Sequence, residues 1–270
     1  MEKKGFAHIA LCIFFAAFVI FLYGPTITIA VLSFQGPRGN LVFPMRGLSL
    51  HWFENLFQEQ MVGDFAGSLS RTLILALVVM ILTVVISLLA GLAFRKRFMG
   101  ATVLFYLTVA SLIVPSILIS LGIGLMFNVL GIAPTWWGSA LGAHLTWTLP
   151  FGVLIMFAVF NRFDRSLEEA ARDQGASPWQ TFRFVVLPLI APSLIGVGLF
   201  GFSLSYDEFA RSSMTAGSDN TLPLEIYGMT TNVTTPVLYA LGTATTMFSF
   251  AVIISCLALV LAMRRRRAAA

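Results

Sequence analysis

Residues 166–188 read SLEEAARDQGASPWQTFRFVVLP, the longest polar interruption between two strongly apolar halves of the chain. Ser166 is placed to N-cap a short helix, with Glu169 three residues on to complete a capping box. Gly175 falls where a helix needs a C′ residue in the left-handed region, which glycine adopts without a Cβ clash. Ser177 opens a second start signal, with Pro178 at N1 and Gln180 at N3. Pro188 has no N–H for the preceding turn, so it should end or bend the helix after Leu187. The expectation is a compact knuckle: helix, glycine corner, second helix. Its charges cancel, with Arg162, Arg165, Arg172 and Arg183 set against Asp164, Glu168, Glu169 and Asp173. A balanced face suits a protein partner; nucleic acid or anionic lipid would favour a basic excess.

Working outward, the flanks are apolar enough to belong in a bilayer. Of 270 residues 58% are hydrophobic and 11% charged, against about 25% charged in soluble domains. The sequence predicts six spans in one domain covering 1–270. The first runs from Ala7 to about Phe34 with Pro25 bending its second half, too long for a signal-peptide core. Residues 35 to about 66 are polar, and Leu50 to Phe57 should be a short helix at the interface. Further spans cover about Ser68–Phe94, Ala101–Leu130 with Pro115 inside, a fourth to about Phe160 containing Trp147 and Pro150, about Leu189–Phe209, and Val237–Met263. Gly131 to Trp137 should make a tight connection, and residues 211–236 a polar loop.

Lysine and arginine set the orientation. Six spans place both termini, the 95–97 loop and the knuckle on one side. That side carries Lys3, Lys4, Arg95, Lys96, Arg97, Arg162, Arg165, Arg172, Arg183 and Arg264 to Arg267, which is 13 of the 17 basic residues. Arg38, Arg46, Arg71 and Arg211 fall opposite. The knuckle is therefore expected in the cytoplasm, with both termini. The same uneven distribution removes the nucleic-acid reading that a net charge of +5 invites.

The knuckle carries a resemblance to a family. Glu169-Ala170-Ala171, three residues, Gly175, nine residues, then Val185-Val186-Leu187-Pro188 resembles the E-A-A-x3-G-x9-I-x-L-P loop of bacterial binding-protein-dependent ABC importer permeases, departing only in Val185 for isoleucine. The resemblance implies an all-α, six-helix permease of the type I importer fold in the bacterial inner membrane. It implies that Glu169, Ala170, Ala171, Gly175, Leu187 and Pro188 dock a separate ABC ATPase. It also implies a second permease subunit, a different chain or a copy, and a periplasmic solute-binding protein. ATP and magnesium would be held by the ATPase, with no cofactor on this chain. In keeping with that, the dipeptide Gly-Lys does not occur, so there is no P-loop.

A rival reading, an intramembrane hydrolase, needs a nucleophile and base or paired acids on facing helices. His8, His51 and His144 are scattered singly, and the one acid pair near a span, Asp207-Glu208, is adjacent in sequence. A channel would leave the docking motif unexplained. Asp207 and Glu208 remain notable, because ionisable groups beside a span tend to face water or a partner. With Ser203, Tyr206 and Trp147 they are the candidates for a solute path. The segment Ser203–Phe209 and the later Leu222–Gly228 look like those of the spermidine/putrescine permeases, which implies a polyamine or related amine as solute. Relatives in the same class handle opines, amino-acid derivatives, phosphonates, thiamine and iron. The structural alternative pairs Asp207 with Arg211 one turn on, with Glu208 reaching water. Gly242, Thr245, Thr246 and Ser249 share a helix face and read as helix-packing residues.

Overall fold

Apolar runs without competing polar side chains leave helix as the way to satisfy the backbone in a bilayer. The computed structural model describes residues 6–39, 42–58, 63–96, 98–232 and 236–268, and its regular elements there are helices. Lys3, Lys4 and Arg97 lie outside the described residues. The helices are α1 (Phe6–Leu32), α2 (His51–Glu54), α3 (Phe65–Phe94), α4 (Ala101–Ala110), α5 (Ser116–Val129), α6 (Ser139–Asn161), α7 (Ser166–Asp173), α8 (Pro178–Thr181), α9 (Leu187–Tyr206), α10 (Leu222–Asn232) and α11 (Val237–Ala268).

Among the described residues five runs are long and apolar enough to cross a membrane: His8–Leu32, Phe65–Phe94, Ser139–Asn161, Pro178–Tyr206 and Val237–Met263. The expected continuous span over 101–130 is instead two shorter helices, α4 and α5, parted by a turn at 111–115. Pro115 explains the break: it cannot donate, and it biases the residue before it away from helical angles. It sits at φ −57°, ψ 132° and caps α5. Pro150, by contrast, is accommodated within an unbroken α6.

Two compact units make up the chain, residues 1–65 with 226–250 and residues 66–225 with 251–270. In the first unit Gln35 pairs with Leu48 across a single antiparallel bridge. Residues 51–57 are helical, as the pattern predicts, and Trp52 and Leu56 are buried. Thr245, Thr246 and Ser249 bond back to carbonyls of their own helix, Leu241 to Thr245, consistent with a packing face.

In the second unit α3, α6 and α9 form the core. Met156, Phe160, Val186, Ile190 and Val197 are buried together, with Val84, Leu88 and Leu92 of α3 against them. Small residues bring these helices close: a Cβ on Gly152 would collide with the Ser87 hydroxyl oxygen. One helical layer above, Thr83 donates to Thr148 at 2.8 Å. This packing fixes both ends of α6 and α9, where the functional residues lie.

Candidate functional site

The knuckle forms between α6 and α9. Helix α7 ends as the glycine spacing predicts. Gly175 has φ +83°, its N–H bonds to the Arg172 carbonyl at 2.8 Å, and the Ala176 N–H bonds to the Ala171 carbonyl at 3.1 Å. That pair of bonds is a Schellman closure. The start signal at Ser177 is present and closes as a capping box: the Ser177 hydroxyl accepts from the Gln180 N–H at 3.3 Å, and the Gln180 side chain accepts from the Ser177 N–H at 2.8 Å.

Two local expectations are corrected. Ser166 does not cap α7 and forms no capping box with Glu169; the cap residue is Arg165, without a side-chain bond. Asp164 takes the role instead, accepting from the Ser166 N–H at 2.9 Å. A carboxylate is a stronger acceptor than a hydroxyl and is favoured at a helix N-terminus. Bonds from Ser166, side chain first and then backbone, hold the Asp164 carboxyl below its usual range. Of the two outcomes expected at Pro188, an end or a bend, the helix does not end. Residues 182–186 widen into a π-turn, in which the Leu187 N–H reaches the Phe182 carbonyl. The wider turn makes room for the proline ring that an α-turn would clash with. The expected second knuckle helix is thus the start of a longer run, Pro178–Tyr206.

Glu169, Ala170, Gly175 and Pro188 are exposed, while Ala171 and Leu187 are half-buried. Alongside them Trp179 is 64% exposed and Leu167 44%. The motif does not single out these apolar side chains on a polar knuckle, although Trp179 lies two residues after the predicted cap, Ser177. Glu168 enters the sequence pattern only as a charge. It is buried, and its carboxylate receives Arg95 at 2.7 Å. The Arg95 guanidinium also lies 5.1 Å from the Phe160 ring centre and 5.4 Å from that of Phe163, and Arg165 donates to the Arg95 carbonyl. Arg95 thereby ties the knuckle to the end of α3.

At the other end of α9 a polar cluster surrounds Arg211, which is only 1% exposed. Its Nη1 donates to the Glu208 carboxylate at 3.1 Å and to the Ser116 hydroxyl at 2.9 Å. Its guanidinium carbon stands 4.6 Å from the Trp147 ring centre, and its carbonyl accepts from Ser120 at 2.8 Å. Buried His144 joins the same region, bonded through Nδ1 to Ser205 at 2.8 Å and through Nε2 to Ser212 at 2.9 Å. The Ser212 proton goes to the Glu208 carbonyl, so a neutral imidazole protonated at Nε2 completes this chain of bonds.

This geometry revises the acid pair. Helix α9 ends at Tyr206, three residues before the expected Phe209, so Asp207 and Glu208 lie beyond it. Arg211 pairs with Glu208, not with Asp207. Asp207 is exposed and has no ion pair among the described residues. Ser203 is exposed one turn below; Tyr206 is buried and stacks on Phe202 at 5.9 Å. Trp147 and Glu208 are brought together through Arg211. The loop expected over 211–236 contains a helix, α10, opened by Pro223 and pinned where the Leu222 N–H bonds to Thr72 at 2.7 Å.

The described residues thus form a helical chain with spans long enough to cross a membrane and a polar knuckle exposed between two of them. The chain belongs to the family of binding-protein-dependent transport system inner membrane components, whose family model matches residues 83–267. It is a permease component of an ABC importer, a multi-pass inner-membrane transport subunit. Among its relatives is the spermidine/putrescine transport system permease protein PotC of Haemophilus influenzae, 31% identical and aligned over 87% of this chain and 90% of that one. The putrescine transport system permease protein PotI of Escherichia coli is 28% identical over 83% of this chain and 80% of its own. In fold the chain is similar to a bacterial ABC transporter involved in alginate import, with a TM-score of 0.68, 18% identity, and coverage of 94% and 95%.

Proposed function

We propose that this chain forms half of the translocation pathway of an importer for a polyamine or related amine. The names of the relatives support the solute class. The observation that carries it is Asp207: with Arg211 committed to Glu208, one exposed carboxylate is left at the end of α9 to accept a substrate ammonium. Ser203 one turn below it and Tyr206 beside it in the chain are further path residues, and Trp147 joins them from the Arg211 cluster, where Glu208 is held in reserve by Arg211. The path is completed by a second permease subunit and fed by a periplasmic solute-binding protein.

In this reading the five long helices and the broken pair α4–α5 cross six times, so both termini and the knuckle share one side, and the lysine and arginine bias makes that side the cytoplasm. There Glu169, Ala170, Ala171, Gly175, Leu187 and Pro188 present the docking surface to an ABC ATPase that holds ATP and magnesium. Trp179 and Leu167 add the apolar area that a stable protein contact needs. Closure of the ATPases then moves α7, and Arg95 passes that movement to α3.

Uptake of labelled spermidine and putrescine by vesicles holding the complete transporter tests the solute. ATP-dependent accumulation of either, inhibited by the other, is expected; transport of an alginate oligosaccharide or an amino acid with no amine uptake would refute the reading.

A further inference from the structure

Beside the knuckle a groove of about 680 Å³ opens between the end of α3 and α7. Leu92 and Ala93 line one part of it. They belong to the last turn of a helix able to cross the bilayer, which sets the groove at the depth where hydrocarbon gives way to headgroups. The remaining lining is charged: Arg95, Lys96, Arg165 and Arg172, with Glu168 and Glu169.

The charge balance of residues 162–183 does not survive folding. Glu168 is taken up by Arg95, and Lys96 enters from a different segment. Lys96, Arg165 and Arg172 are left against the single carboxylate of Glu169. We propose that this groove binds the phosphate of an anionic phospholipid, with the acyl chains leaving along Leu92 and Ala93. The apolar lining selects this occupant. An acidic segment of a protein partner, or free phosphate, would use the cations and gain nothing from the last turn of the span. Basic pockets beside spanning helices suit lipid phosphates for this reason. The site needs α3 to cross the membrane and does not depend on which solute is carried; at its rim it shares Glu169 with the proposed ATPase-docking surface.

The test uses the full chain purified in mild detergent and titrated with phosphatidylglycerol or with phosphatidylcholine of the same acyl length, bound lipid being read by native mass spectrometry. Phosphatidylglycerol should be retained preferentially. Lys96→Gln and Arg172→Gln should each lower its affinity about fivefold, the scale for one basic side chain near an anionic surface. Phosphatidylcholine binding should not change, and Arg38→Gln, which removes a cation elsewhere, should have no effect. Melting temperatures measured alongside identify a variant that has merely misfolded, in which case Lys96→Ala and Arg172→Ala replace it. Equal retention of the two lipids overturns the proposal, as does displacement of phosphatidylglycerol by inorganic phosphate. So does a double variant that keeps the lipid but loses its ATPase, which would assign the groove to an acidic protein segment.

Discussion

The knuckle and the Arg211 cluster are both polar structures at the ends of α9, and they are held in opposite ways. In the knuckle the decisive bonds join residues no more than five apart: Ala176 to Ala171, Gly175 to Arg172, Ser177 to Gln180. In the cluster Arg211 reaches Ser116 across 95 residues, and His144 reaches Ser205 across 61 and Ser212 across 68. A locally closed corner keeps its shape while its outer face stays exposed for a partner. A cluster assembled from α5, α6 and α9 exists only while those helices are packed, so its charges are buried and mutually dependent. The first arrangement suits a coupling element; the second suits the wall of a path. Arg95 is the exception that joins the knuckle to the core, through one ion pair and two aromatic rings.

The largest expected effect of breaking this contrast is in the cluster. Arg211→Ala leaves Glu208 without its cation and should cost about 3–5 kcal/mol, the scale for breaking a buried pair from one side. Thermal unfolding in detergent measures it, and Arg211→Met with Glu208→Gln should recover a substantial part. If Arg211→Ala were as stable as the parent, the cluster would not be a unit. Asp207→Asn comes next. It should leave the melting temperature in place and reduce amine uptake about fivefold, more for a triamine than a diamine and most at low ionic strength, since about 1 kcal/mol of attraction is removed. A matching loss in Glu208→Gln without any loss of stability would reassign the substrate carboxylate.

Smaller effects sharpen the knuckle's side. Ser177→Ala should cost about 1 kcal/mol, the usual loss for an N-cap. It should appear as faster amide exchange over 178–186 and leave the Arg211 cluster untouched. Asp164 should give the least. Its carboxyl is held low, so its contribution is present above the unfolded pKa and fades as pH falls through the lower folded value. Acidification below about pH 4 should loosen the first turn of α7, and Asp164→Asn should abolish that dependence.

The legibility of the fold and site in the sequence divides along the same line. Gly175 and the Ser177–Gln180 box need only spacing, because each is closed by its own neighbours. The spans come from unbroken apolar length, except at Pro115, where the sequence alone does not distinguish a bend from a break; Pro150 sits in an intact helix with the same chemistry. Asp164 displaces Ser166 as the helix-starting acceptor because two capable side chains lie two residues apart and the charged one bonds. In sequence Arg211 stands among the loop cations, and its burial depends on Ser116, Thr146 and Trp147, which nothing local connects to it. His144 escapes for the same reason: a lone histidine acquires meaning from Ser205 and Ser212 only after folding.

The claim that the locally closed corner is the coupling element is tested most directly by co-purification of the ATPase with Gly175→Val. A Cβ at this position meets nothing within 4 Å, so the change acts only through its left-handed φ, at a cost of about 1–2 kcal/mol. The account predicts a chain that inserts and melts nearly as the parent does but no longer retains the ATPase, with ATP-driven uptake lost. Full retention of the ATPase with normal uptake would contradict it.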